Sequence, residues 1–341
     1  MNILLTSAGR RTYLVDYFKE ALAGRGKVYA TNSQFSPALN KADEWALTPL
    51  IYDEGYIEFL LEYIKKHDIK MLISLFDIDL PVLAKSKSLF EELGVKVVIS
   101  SPNVVSICND KWLTYQFLVA QGFNTPKTFI DLKHCKESLN KSESVYPLII
   151  KPRWGMGSIG IYIAENELEL EVFYTKVKRE ISNSYLKYES KEDLGNAVII
   201  QQCIIGQEYG LDVFNDLNGN YIKTFVKRKL AMRSGETDSA KTEENLPLIE
   251  LGEKLGNSLK HVGNLDMDCF ISNDKLYILE LNCRFGGGYP FTHLAGVNIP
   301  QILLDLMDNK KPNPNLMQLE YNLEMIKDIN LIKLKGIETI S

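Results

Sequence analysis

The stretch "YILELNCRFGGGYPFTHLAGVN", residues 277–298, decides how the rest of the chain reads. Apolar residues alternate with polar ones up to Asn282. Glu280 and Asn282 therefore share one face of a strand, with Arg284 beyond them if the strand continues that far. Three glycines, 286–288, then leave a backbone with no side chain in the way. "DMDCFIS" comes just before, and a tight turn at 272–274 would set Asp268 beside Glu280. Two carboxylates and an amide oxygen form an all-oxygen set suited to magnesium and poorly suited to zinc. Without a cation, the paired acids would repel and raise one pKa. The solvent face of an ordinary hairpin shows the same alternation, so spacing alone leaves both readings open.

Working outward, "KPRWGMGSIG" (151–160) follows the apolar run "YPLII". Lys151 ends a buried strand, and Gly155, Gly157 and Gly160 would let backbone N–H groups approach phosphate oxygens. No GK[ST] follows, so this is not a P-loop, and a glycine-rich hairpin turn fits equally. "IIQQCIIGQEYG" (199–210) is an apolar strand and a turn; an adenine could lie near Gln202 to Ile204, with Glu208 at ribose hydroxyls, or the strand could be plain interior. "KRKLAMRSGETDSAKT" (227–242) has a loop-like core, and Lys227, Arg228 and Arg233 would either offset phosphate charge or form a solvated face.

The first ~100 residues alternate buried strands ("NILLT", "KVYAT", "KMLISL", "VKVVIS") with helical periodicity at 11–23, 54–67 and 79–92, the pattern of a parallel sheet covered by helices. Gly9, Arg10 and Arg11 stand at a helix start that would favour an anion, or make a tight turn with solvated arginines. Asp77 and Asp79 follow a strand end, where they would face a ligand or cap a helix. Helices are predicted at 110–121, 165–190 and 246–262.

Composition bounds the function. With 341 residues, 45% apolar and 24% charged, the chain is globular and long enough for two or three modules. A net charge of -5 and a pI near 5.6 argue against a nucleic-acid partner. No apolar run nears the ~20 residues of a membrane span, and the N-terminus reverses a secretory signal's order, so a cytoplasmic location is expected. Five cysteines, an odd number without CxxC spacing, and four unpaired histidines predict reduced thiols and no zinc or iron site.

Together and in this order these pieces resemble the ATP-grasp superfamily, in the branch that includes biotin carboxylase and the large subunit of carbamoyl phosphate synthetase. The resemblance covers about residues 1–310. It implies a Rossmann-like parallel sheet at 1–102 (the pre-ATP-grasp domain), then a two-lobed ATP-grasp fold with lobes at 103–198 and 199–310, and an appendage at 311–341: α/β followed by α+β. It also implies roles. In "NDKWLTYQFL", Lys111 reaches ATP phosphate; Lys151, Gly155, Gly157 and Ser158 cover the triphosphate; Gln201, Gln202, Cys203 and Ile204 surround adenine, with Glu208 at the ribose. Asp268, Glu280 and Asn282 would hold Mg2+ or Mn2+. Arg284, Lys151 and Arg233 would serve catalysis, and Arg228, Glu236, Gly287 and Tyr289 would touch substrate. Asp268 stands where relatives often carry glutamate or glutamine, and Cys283 where many have proline. The implied activity is ADP-forming ligation of a small carboxylate to an amine through an acyl phosphate. A bicarbonate-using carbamoyl-phosphate-synthase-like or carboxylase-like enzyme, a phosphotransferase and a non-catalytic nucleotide-binding protein remain alternatives, and a homodimer is the default assembly.

Overall fold

The computed structural model describes residues 1–155 and 159–333. At the N-terminus five parallel strands lie in the order Glu44–Leu47, Val28–Asn32, Asn2–Thr6, Ile69–Ser74, Lys96–Val97. Ile3 and Leu5 enter one core and Leu4 the other, which explains why that strand is apolar at successive positions instead of alternating. Helix Thr12–Leu22 buries Leu14, Val15 and Phe18 on the first side. Helix Gly55–Lys66 buries Tyr56, Leu60 and Ile64 on the other. Chain order reverses at the central strand, so the crevice at its carboxyl end is the expected ligand position.

Several boundaries differ from the periodicity. The helix expected over 79–92 breaks at Ser86 into Asp79–Lys85 and Lys87–Glu91, and the strand expected over 95–100 pairs only at Lys96–Val97. Helix Pro37–Lys41 and strand Glu44–Leu47 were not anticipated. The strand sits at the sheet edge with mostly exposed side chains, so it carries little alternation to detect.

A four-stranded sheet follows, in the order Thr128–Phe129, Val198–Gln202, Leu148–Pro152, Tyr162–Ala164. Its core of Phe129, Leu148, Ile150, Val177, Val198 and Ile200 shares no residue with the other two cores. Because Val198–Gln202 pairs with Leu148–Pro152, the lobe runs to residue 202 and the crossing falls at 203–206, not at 198/199.

The third sheet has six strands, in the order Lys275–Asn282, Gly263–Ser272, Gln207–Asn215, Tyr221–Arg233, Glu236–Thr242, Glu324–Ile326. One face packs Leu211, Val213, Leu265, Met267 and Leu281 against Leu248 and Leu255 of helix Leu246–Leu259 and merges with the core of the first sheet. The expected loop within 227–242 is instead two long strands joined by a tight turn, with Ser234 at φ 51° and Gly235 at φ 78°. The tail beyond residue 308 returns to supply the last strand. Among the described residues no helix is long and apolar enough to cross a membrane.

Candidate active site

Period two generates a charged face on the third sheet. Asp268 lies directly opposite Glu280, and Asp266 opposite Asn282. On the other side, Gly210 and Asp212 oppose Asp268 and Asp266, and Gly210 opposes Lys227. Glu208, Asp212, Lys227, Lys229, Asp266, Asp268, Glu280 and Asn282 therefore project one way.

Lysines thread this face. Lys229 Nζ sits 2.8 Å from Glu208 Oε1 and 2.6 Å from Asp268 Oδ1, joining the acid expected at the ribose to the first expected metal ligand. Burial works against the Lys229 charge, but Asp268 and Glu208 outweigh it and raise its pKa. Lys111 opens helix Lys111–Ala120, capped by Asp110, which accepts from the Trp112 N–H at 2.9 Å. Its Nζ lies 3.4 Å from Glu280 Oε1 and donates to the Gly155 carbonyl at 2.6 Å. Lys151 is buried and donates to Gln201 Oε1 at 2.8 Å. Burial lowers its pKa to about 8, with Glu280 pulling upward and Lys111 downward. Burial opposes ionisation of Glu280, but Lys111, Lys151 and Arg284 hold its carboxyl below the usual range.

The oxygen donors Asp268, Glu280 and Asn282 suit a hard divalent cation. Among the described residues, however, no three His, Cys, Asp or Glu groups converge to cage one. Lys229 and Lys111 take up the carboxylates instead. That fits magnesium, which commonly binds through one or two carboxylates and completes its shell with water and substrate phosphates.

At the far end of the same strand, Arg284 binds Asp77 across the first and third sheets, Nε at 2.7 Å and Nη2 at 2.6 Å from Oδ2. Arg284, which the resemblance places in catalysis, is thus already paired with a carboxylate. Asp266 forms no hydrogen bond through its carboxylate among the described residues and lies 3.9 Å from Arg284 Nη1. Burial and Asp268 push its pKa up to about 7, with Arg284 acting against them.

The three glycines each abut a different charged side chain. A Cβ on Gly286 would fall 2.1 Å from Asp266 Cγ, one on Gly287 3.1 Å from Glu236 Cδ, and one on Gly288 2.8 Å from Lys227 Cε. Gly286→Ala should consequently cost about 1–3 kcal/mol from overpacking. The urea midpoint measures this, and an unchanged midpoint would contradict the packing.

Other expectations need correction. Tyr289, expected at substrate, is fully buried; its hydroxyl accepts from the Ile299 N–H at 3.0 Å and holds the helix–loop junction. Arg228 falls on the opposite face of its strand and pairs with Glu243 at 3.0 Å. Lys227 is buried against Asp212 at 2.5 Å, so it neutralises no exposed phosphate. The Gln201 side chain ties Lys151 to Thr128. The N–H groups of Gln202 and Cys203 donate to Lys127 and Pro147 carbonyls, leaving Ile204 the one N–H of the trio unengaged among the described residues. Arg233 pairs with Asp238 at 2.9 Å near the hairpin end, where Glu236 meets Gly287. Gly157 and Ser158 lie outside the described residues. Arg11 donates to the Phe285 carbonyl and so braces the glycine turn. Asp79 caps nothing: it is buried and accepts from Thr6, Tyr56, Ser74 and Ser7, filling the crevice of the first sheet.

Lys229 and Asp266 went unremarked in the sequence, although "KRK" and "DMD" place each two residues from a residue already considered, hence on its face. Glu189, from the four-stranded lobe, also reaches the site, with no local signal to announce it.

A family model described as "ATP-grasp domain" matches residues 108–288, and one described as "PylC-like, N-terminal domain" matches residues 3–98. Carbamoyl phosphate synthase large chain from Clostridium botulinum (strain Alaska E43 / Type E3) is 21% identical over 261 residues, covering 74% of this chain and 23% of that protein. D-alanine--D-alanine ligase from Petrotoga mobilis is 26% identical over 204 residues, covering 57% and 63%. Biotin carboxylase from Campylobacter jejuni shares the fold with a TM-score of 0.73 at 16% identity, over 93% of this chain and 73% of that one. L-amino acid ligase from Bacillus licheniformis does so with a TM-score of 0.71 at 20% identity, over 94% and 78%. The chain spans about a quarter of the length of the carbamoyl phosphate synthase relatives it matches.

Proposed function

The chain belongs to the ATP-grasp family, and on that premise we propose that it is an ADP-forming ligase joining a small-molecule carboxylate to an amine. The observation that carries this reading is the convergence of Lys111 and Lys151 on Glu280, directly opposite Asp268. Phosphoryl transfer asks for positioning and charge neutralisation more than for a strong base. Glu208 would take the ribose, and Lys111 and Lys151 would meet the phosphate oxygens. The substrate carboxylate would attack the γ-phosphate, giving an acyl phosphate and ADP; the amine nitrogen would then attack the acyl carbon and release phosphate. Arg284, held by Asp77, would balance charge on the acyl phosphate, and the bare backbone at 286–288 would admit it closely. Asp268, Glu280 and Asn282 are the residues that would hold magnesium, which when bound would neutralise phosphate charge. The lobe of residues 128–202 would close over the phosphates and keep water from the acyl phosphate.

An ADP-release screen over amino acids, sugar acids and amines with MgATP, followed by mass detection, tests this. The expected result is ADP release requiring both an acid and an amine, with an amide product. A stable phosphorylated product without an amine requirement, or turnover on bicarbonate alone, would overturn it.

A further inference from the structure

Arg153 follows the strand Leu148–Pro152 at the root of the glycine stretch. Its guanidinium grips Asp110 at two points, Nε to Oδ1 at 2.8 Å and Nη2 to Oδ2 at 2.7 Å. The remaining nitrogen, Nη1, donates to Asp193 Oδ2 at 2.8 Å. Arg153 and Asp110 are 8% and 4% exposed, so water does little to screen the pair. A planar guanidinium that meets both oxygens of one carboxylate fixes orientation as well as distance.

The two ends of this grip belong to different sheets' cores. Arg153 is tied within the lobe, where its backbone N–H donates to the Ala197 carbonyl at 2.8 Å. Asp110 caps the helix Lys111–Ala120, whose Leu118 is buried in the core that the first and third sheets share. Asp110 Oδ1 thus accepts from the Arg153 side chain and from the Trp112 and Leu113 N–H groups together. The main chain adds a second tie, because the Lys111 N–H donates to the Arg153 carbonyl at 3.2 Å. Lys111 is therefore held on both sides, by the capping acid before it and by the arginine facing it. From that fixed backbone its Nζ reaches the Gly155 carbonyl and Glu280.

We propose that Arg153 is a positioning residue for phosphate binding: its grip on Asp110 aims the Lys111 ammonium at the nucleotide's phosphates. The inference rests on the placement of Lys111 at ATP phosphate in the reading above, and it is independent of which acid and amine are joined. All three guanidinium nitrogens are engaged by carboxylate oxygens, so Arg153 acts through Lys111 and not on the nucleotide itself. Lysine at this position would keep the charge but lose the fork.

Titration of the full chain with MgATP tests this in Asp110→Asn, Arg153→Lys and Lys111→Met. Asparagine caps a helix as well as aspartate does, so Asp110→Asn removes the charged clamp and leaves the cap. Arg153→Lys keeps a cation against Asp110 and serves as the readout where Asp110→Asn lowers the urea midpoint. Each of these two should weaken MgATP binding about three- to tenfold. Combined with Lys111→Met, each should cost little beyond Lys111→Met alone, since the clamp then has no ammonium to aim; a merely structural role would give losses that add. Full affinity in both clamp variants, or losses additive with that of Lys111→Met, would overturn this inference alone. A parent chain that binds no MgATP, or a Lys111→Met variant that binds it as the parent does, would overturn the placement of Lys111 and this inference with it.

Discussion

Glu280→Gln should reduce ADP formation by about 10²–10³-fold while leaving the urea midpoint close to that of the parent. The amide keeps the shape of the carboxylate, and the strand Lys275–Asn282 is held by its ladder to Gly263–Ser272. What disappears is the negative charge on which Lys111, Lys151 and Arg284 act together. Both lysines would then be left with less opposing charge, and the oxygen set facing Asp268 would lose one of its two carboxylates. The variant should bind Mn2+ more weakly in the presence of ATP, measured by titration, and turnover should fall in step. Unchanged turnover on an acid and amine that the parent ligates would remove Glu280 from the machinery and, with it, the assignment of the ribbon as the metal-bearing element.

The largest expected loss of stability belongs to Asp77→Asn. Asp77 follows the strand Ile69–Ser74 of the first sheet and Arg284 follows the strand Lys275–Asn282, 207 residues later in the chain. Their side chains are 10% and 7% exposed, so water does little to screen the pair. Removing one partner of a buried pair strands the other charge and costs about 3–5 kcal/mol. Asp266 and Glu280 also act on Arg284, which puts the expected cost near the lower end. Urea denaturation gives the number. The double variant Asp77→Asn/Arg284→Met should recover part of the loss, because no orphaned guanidinium remains. A double variant as unstable as the sum of the singles would show that the two residues do not act as a pair.

Strict alternation made much of the site legible. Asp268 and Glu280 were set opposite each other from a twelve-residue separation and a tight turn, and the ladder pairs those two residues directly, with Asn273 and Asp274 at positive φ in the turn. The same rule, applied to "KRK", would have separated Lys227 and Lys229 from Arg228, which the structure turns toward Glu243 on the other face. Tyr289 misled for a different reason: a tyrosine after a glycine turn looks like a ligand contact, but helix Ile299–Met307 folds back and covers it.

By itself the chain determined its fold class, four of the five strands of the first sheet, and the all-oxygen character of the ribbon's polar face. These follow from local periodicity, which depends only on neighbours a few residues away. Tertiary structure alone decided that Arg284 is held by Asp77, that Lys229 links Glu208 to Asp268, and that Glu189 enters the site from another lobe. Those outcomes depend on charges brought together from distant sheets and shielded from water, and no pattern of nearest neighbours encodes such distances.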